Sequence, residues 1–334
     1  MLKAAVIGVG AMGMHHARVY NELDGVELVA VADADPKKAD LVGRRFKVPT
    51  YGDYVQMLEE RRPDILTVAV PTSLHQKVTL EALRRGIHVL VEKPIASTVA
   101  EAEEMITAAR TQGVQLAVGH IERFNPAVIA LKKRLDQGEL GKVFMIQARR
   151  MGPFPERIQD MGVVIDLAAH DIDVMFYLLG APPVERVYAE TMRQVHTALE
   201  DLLAGLVRFE GGALGVLDVN RLTPTKVREL TVTGQKGMFL VNYLTQDLYF
   251  YENTRYESVP AAGDWENLGI LKGVAEGDMT RLAIARKEPL RAELEAFVQA
   301  VQGNPAASVS GEDGLRVLRL ALQLVEAGER HAAL

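Results

Sequence analysis

The 334-residue chain contains no cysteine. That removes disulfides, thiolate metal sites and a cysteine nucleophile at once. It also lacks a basic block: 38 Lys and Arg stand against 44 Asp and Glu, both signs are spread along the chain, and the formal net charge is −6. The expected partner is therefore a small metabolite rather than nucleic acid or a membrane surface. No apolar run approaches membrane-spanning length, and Met1 leads almost at once into a core-strand pattern, leaving no room for a signal peptide. A cytoplasmic location is the expectation. No repeat or low-complexity segment is found, while 48% hydrophobic residues over this length suffice for two cores.

The stretch KAAVIGVGAMGMHH carries the most information. An apolar strand pattern ends in Gly8, Gly10 and Gly13, a helix pattern follows, and the next apolar run, VELVAVADAD, ends in Asp33 about two dozen residues later. In this context Gly8 permits a tight turn, Gly10 lets the backbone approach a pyrophosphate, and Gly13 lets helix and strand pack closely. The pyrophosphate then rests on free N–H groups at the helix start. An acid at Asp33 suits both hydroxyls of the adenosine ribose and repels a 2′-phosphate, which favours NAD over NADP. Gly8, Gly10, Ala11, Met12, Gly13 and Asp33 are the NAD contacts expected here. A glycine-rich turn without a ligand is the plain alternative.

Up to about residue 119, short apolar strands (AAVIG, VELVAVAD, DILTVAV, IHVLVE, VQLAVG) alternate with amphipathic helices. That pattern is an α/β Rossmann fold with a doubly wound parallel sheet. Helix starts are expected at Asp35-Pro36, at Ser73 and at Ser97 or Thr98. From residue 184 to 260 strand-like runs are broken by turns such as Glu210-Gly211-Gly212, which reads as hairpin chemistry. The expectation is an NAD-binding domain over 1–120 and an α+β domain over 121–334 built on a large open, mainly antiparallel sheet. Apolar residues are frequent on both faces of that sheet, so a homo-oligomer is expected through its open face. Residues 261–285 show few strand or helix signals, and two amphipathic helices close the chain.

Two constellations could carry chemistry. Glu92-Lys93-Pro94 ends the strand IHVLVE, and the carboxyl ends of such strands face the ligand crevice, so Lys93 is delivered towards the dinucleotide. A surface lysine at a strand exit is the alternative. Asp166 and His170, four apart in a helical run, are expected on one face, where a carboxylate beside an imidazole makes a general base. A helix-surface pair or half a metal site are the alternatives, but no third ligand is evident and no metal is expected. Asp171 and Asp173 point to other faces, as surface or structural groups.

GVGAMG with Asp33, Val70-Pro71-Thr72 with His75, Glu92-Lys93-Pro94 and Asp166-x-x-x-His170 together resemble the family of glucose–fructose oxidoreductase, inositol dehydrogenase and related sugar dehydrogenases. The resemblance spans nearly the whole chain. It implies that Lys93 and His170 are the catalytic pair with Asp166 beside them. It also implies that Pro71, Thr72, His75, Glu92 and Lys93 lie near the cofactor. Ser73 stands where the family more often has Asn. The segments GHIERFNPAV and ARRMGPFPERIQDMGVVIDLAAHD are more narrowly similar to those of UDP-N-acetylglucosamine 3-dehydrogenases. That implies oxidation of a sugar hydroxyl on a nucleotide sugar. Arg123, Asn125, Arg149, Arg150 and Arg157 fall in these segments, and guanidinium groups suit a diphosphate. Arg123, Asn125 and Arg157, with Asp166 and His170, are the expected substrate contacts.

Overall fold

The computed structural model of the chain describes residues 1–154, 161–195, 198–253 and 276–331. Two compact units make it up. The first holds Met1–Phe124, Val164–Asp173 and Lys287–Val325, and the second holds Asn125–Val163, Val174–Arg286 and Glu326–Leu334.

In the first unit six strands, β1 (Leu2–Ile7), β2 (Val26–Ala32), β3 (Thr50–Tyr51), β4 (Ile65–Val68), β5 (His88–Glu92) and β6 (Leu116–Gly119), form a parallel sheet in the order β3-β2-β1-β4-β5-β6. The order reverses between β1 and β4, and a crevice opens at the carboxyl ends on either side of such a reversal. The crossovers are α1 (Ala11–Glu22), α2 (Pro36–Phe46), α3 (Tyr54–Arg61), α4 (His75–Leu83) and α5 (Val99–Gln112). Asp35, Asp53 and Thr98 cap α2, α3 and α5 by accepting the N–H groups of Lys37, Val55 and Glu101. Ser73 does not cap α4: it lies in a 3₁₀ turn, Thr72–Leu74, that runs straight into the helix at His75.

Two apolar layers sandwich this sheet. One joins Leu66, Val89 and Met105 to Leu315 and Leu318, and the other joins Val6 and Tyr20 to Leu294 and Phe297. The closing helices α8 (Pro289–Val301) and α9 (Gly311–His331) therefore supply core to the dinucleotide sheet, and Ser310 bridges Ala117 of β6. This differs from the expected division at residue 120. An apolar helix stripe says that a helix packs, without saying on what.

The second unit carries β7 (Val143–Met151), β8 (Val184–Met192), β9 (Leu202–Phe209), β10 (Leu214–Asn220), β11 (Val227–Gly234), β12 (Gly237–Asn242), β13 (Asp247–Asn253) and β14 (Glu276–Leu282). Their order is β14-β13-β12-β11-β7-β10-β9-β8, and among the described residues only β7 and β10 run parallel. The Glu210-Gly211-Gly212 turn joins β9 to β10, with the Gly212 N–H donating to the Phe209 carbonyl over 3.1 Å. Strand β14 lies in the stretch read as irregular, and its partner is β13. One face of the sheet buries Ile146, Ala148, Leu217, Leu230, Val232 and Phe239. Helix α6 (Pro126–Asp136) and the end of α7 (Ala169–Leu179) lie in this unit, where Phe176 meets Phe209 edge-on at 5.7 Å between centroids. The opposite face carries Tyr188, Met192, Leu206 and Met279, each 43–56% exposed. Among the described residues no helix is long and apolar enough to cross a membrane.

Candidate active site

Gly8 takes the left-handed conformation at φ +84, and a Cβ there would meet the Ala69 carbonyl oxygen at 2.6 Å. Gly13 faces the same turn from α1, where a Cβ would sit 1.8 Å from the Gly8 carbonyl oxygen. Strand and helix thus touch backbone to backbone. Gly10 is different, because a Cβ there would meet nothing within 4 Å. Gly10 is also the N-cap of α1 and offers no side chain, and the helix makes its first bond from the Met14 N–H to the Gly10 carbonyl. The N–H groups of Ala11, Met12 and Gly13 have no helical acceptor, so an anion can take them. Asp33 follows β2 directly, accepting the Val9 N–H on one oxygen and the Asp35 N–H on the other, both at 2.8 Å. The acid is built into the glycine turn and keeps lone pairs for further donors. An uncapped helix start, open space at Gly10 and an anchored acid fit a dinucleotide.

At the end of β5, Lys93 precedes a cis peptide bond to Pro94. Its Nζ donates to the Asp166 carbonyl at 2.7 Å and to Asp166 Oδ1 at 2.8 Å. An ammonium carries three donors, so one remains for a ligand oxygen. Asp166 does not sit in a regular α-helix. Residues Val164–Ala168 form a π-helical turn, with i→i+5 bonding, before α7 begins at Ala169. The one-face spacing expected for Asp166 and His170 is altered by this turn, and Asp166 pairs with Lys93. His170 is half-buried at the start of α7. Asp171 and Asp173 are buried outright.

Several expected contacts are bonded within the fold. His75 is buried, with Nδ1 at 2.8 Å from the Pro94 carbonyl and Nε2 at 2.9 Å from the Val70 carbonyl, so it braces the turn after Lys93 against the turn after β4. Burial holds its ring below the usual histidine range, although both carbonyls favour the proton. Pro71 and Thr72 open the 3₁₀ turn beside it. The Arg123 guanidinium grips Asp173 with two nitrogens and reaches Asp313 Oδ2 at 3.0 Å. Asn125 caps α6 by accepting the Ala127 N–H at 3.1 Å and donates to the Tyr243 carbonyl at 3.1 Å. Both residues, expected as substrate contacts, thus have polar partners inside the fold. Arg149 pairs with Glu229 at 3.3 Å and Arg150 stacks 5.1 Å from the centre of the Tyr243 ring. Arg157 lies outside the described residues.

The sequence reading missed an inner layer. Glu92, expected beside the cofactor, has Oε1 at 2.8 Å from His16 Nε2 and accepts the Lys93 peptide N–H on Oε2 at 3.2 Å. His16 Nδ1 lies 3.3 Å from Thr67 Oγ1, which lies 3.0 Å from the Tyr20 hydroxyl. The signal available was a polar pair, His16 and Tyr20, at i and i+4 on the face of α1 that Gly13 turns to the sheet.

Comparison with known proteins decides the family. Residues 2–120 match a model described as an oxidoreductase family with an NAD-binding Rossmann fold, and residues 128–240 match the GFO/IDH/MocA C-terminal domain. The chain belongs to the GFO/IDH/MocA oxidoreductase family. It is therefore an NAD-dependent enzyme among sugar and polyol dehydrogenases. It is 29% identical to the UDP-N-acetylglucosamine 3-dehydrogenase of Acidithiobacillus ferrooxidans, covering 97% of this chain and 96% of that one. The solved structure of that enzyme superposes with a TM-score of 0.84 at 28% identity over 98% of both chains. The D-glucoside 3-dehydrogenase of Escherichia coli is 28% identical over 98% of this chain and 95% of its own. Levoglucosan dehydrogenase in complex with NADH and levoglucosan shares the fold, with a TM-score of 0.82 at 20% identity over 98% of this chain and 97% of that one.

The two glycines separate folding from cofactor binding. Gly10→Ala keeps its melting temperature but loses NAD affinity in a fluorescence titration, whereas Gly13→Ala costs about 2–4 kcal/mol of stability in urea through the backbone clash. His75 gives a pH effect of known sign. The unfolded chain takes a proton on this histidine near pH 6.5 and the folded chain resists it, so stability present above that value is lost as pH falls. The urea midpoint drops between about pH 7.5 and about pH 5.5, and drops less in His75→Gln.

Proposed function

We propose that this dehydrogenase oxidises the 3-hydroxyl of UDP-N-acetylglucosamine to the 3-keto sugar. The observation that carries the proposal is the Lys93 ammonium at the carboxyl end of β5, held by two bonds from Asp166 with a third donor left over. The near full-length likeness to the Acidithiobacillus enzyme supports the nucleotide sugar. That enzyme and the D-glucoside 3-dehydrogenase both carry oxidation at carbon 3 in their names, which supports the position.

NAD is held by the N–H groups after Gly10 and by Asp33, with Thr72 and Pro71 on the adjoining turn. Bound there, it supplies the hydride acceptor. His170 takes the proton of the sugar hydroxyl, and the free Lys93 donor meets the developing alkoxide and stabilises its charge. Asp166 anchors the ammonium. No arginine of the described residues is assigned to the diphosphate. A second reading, the same chemistry on a glucoside without a nucleotide, is favoured by the comparable likeness to the Escherichia coli enzyme.

The open face of the second unit's sheet is the subunit contact in this proposal. Tyr188 on β8 and Leu206 on β9 are register partners on it, and Met279 lies on the same face at the far edge strand, β14. Sedimentation at micromolar concentration is expected to show a dimer or a larger assembly, and a monomer overturns this part.

In stopped-flow mixing of enzyme, NAD and UDP-N-acetylglucosamine at comparable concentrations, reduced nicotinamide absorbance rises in proportion to enzyme sites. Free UDP suppresses the rise if the nucleotide is recognised. A rise with a simple glucoside that UDP leaves untouched selects the second reading. Lys93→Met slows the rise by about 10²–10⁴-fold and leaves NAD affinity intact.

A further inference from the structure

His16 and Glu293 are fully or almost fully buried titratable groups in the first unit that the mechanism above does not use. Their surroundings link the cofactor helix to the lysine strand. His16 lies three residues after Gly13 on α1, and its Nε2 faces a carboxylate oxygen of Glu92, an atom that only accepts. Nε2 therefore carries the proton. The remaining atoms order themselves from that end: the Tyr20 hydroxyl donates to Thr67 Oγ1, and the Thr67 hydroxyl donates to His16 Nδ1. Burial pushes the Tyr20 phenol far up, which keeps it a donor. At the far end, Glu92 uses its other oxygen to accept the peptide N–H of Lys93. Room for this carboxylate comes from Gly119 on β6, where a Cβ would meet Glu92 Oε2 at 3.1 Å.

We propose that His16 is a positioning residue, holding the Glu92 carboxylate against the Lys93 peptide N–H and so tying the helix of the glycine turn to the lysine. The proposal rests on the dehydrogenase reading above for its turnover measurements alone. Charges around Glu92 agree with it. The titratable groups around it are His16 from α1, Lys93 next in sequence, His120 after β6 and Glu293 from α8; Asp173 acts on both His120 and Glu293, and Arg123 acts on His120. Burial alone raises a carboxyl, but the hydrogen bond from His16, together with the Lys93 ammonium and peptide N–H, holds Glu92 below the ordinary range. Glu293 goes the other way. Burial, then repulsion from Glu92 and Asp173, pushes it well above the ordinary range, and neither of its oxygens has a hydrogen-bond partner. The two shifts run in opposite directions, as they do where one carboxyl repels another.

Removing His16 takes away the group that keeps Glu92 charged and aimed. In the infrared spectrum at neutral pH, wild type minus Glu293→Gln shows a buried protonated-carboxyl band, and wild type minus Glu92→Gln shows none. His16→Leu gains a second acid band, which disappears in the His16→Leu, Glu92→Gln double variant. The same His16→Leu protein has kcat lowered at least about tenfold with NAD affinity within about threefold of wild type, and its acid limb of kcat moves to higher pH. His16→Gln, whose amide N–H replaces Nε2–H, recovers most of the rate and lacks the second band. No second band in His16→Leu overturns the proposal whatever sugar the enzyme takes, and so does the band with an unchanged kcat. If His16→Leu does not fold, the decision passes to Glu92→Gln and His16→Gln. A wild-type kcat and pH profile in Glu92→Gln overturns the proposal, and a rate loss there with rescue in His16→Gln sustains it. Absence of turnover with every sugar in wild type refutes the dehydrogenase reading, and the bands then decide the role of His16 alone.

Discussion

The ion pair of Lys93 with Asp166 constrains the path of the whole chain. One partner ends a strand of the dinucleotide sheet, and the other lies 73 positions away in sequence. They meet because Val164–Asp173 returns to the first unit between two excursions into the second. At the return the helix is wound to i→i+5 spacing, so the Asp166 side chain and its own carbonyl both address the same ammonium. A buried charge of this kind is tolerated only with a close partner, and Asp166 supplies it twice. The same segment places Asp173 under Arg123, so ten residues neutralise two cations.

Around this pair, buried polar groups are linked rather than scattered. His75 braces the turn after Lys93, Glu92 holds its peptide N–H, and His16, Thr67 and Tyr20 continue the chain of bonds into α1. Each link is worth little as a net hydrogen bond, about 1 kcal/mol, but a buried donor or acceptor left unmatched costs more. The network thereby fixes geometry more than it adds stability. Its members come from α1, β4, β5 and the start of α4.

Local signals in the sequence were legible to the extent that short-range chemistry sets them. The glycine turn, the acid after β2, the parallel strands and the hairpin at Glu210-Gly211-Gly212 each depend on residues close together in the chain. Lys93 was readable because a strand end has a defined direction. The internal partners of Arg123 and Asn125 were not, because a polar residue near a crevice looks the same whether or not a carboxylate such as Asp173 reaches it from far along the sequence. The π-helical turn at Val164–Ala168 was invisible for a related reason, since its pattern of apolar residues suits an ordinary helix equally well. Strand β14 escaped notice because its evidence lies in β13, its partner. The inner layer of His16 and Glu92 needed two strands and a helix to be brought together before it existed at all.

The composition of the first unit bears on how the protein is made. Leu294, Phe297, Leu315 and Leu318 complete the two apolar layers of a sheet whose first strand begins at Leu2. Until the ribosome has released nearly the entire polypeptide, the glycine turn and the lysine strand stand on a half-covered sheet. Strand β7 waits as well, since both its neighbours, β10 and β11, are synthesised more than 60 residues after it. Long-range pairing of this sort folds slowly and leaves apolar surface uncovered in the meantime. The dinucleotide module, first to emerge, is among the last to be finished, so the nascent chain passes through a long interval in which a chaperone has more to hold than the cofactor does.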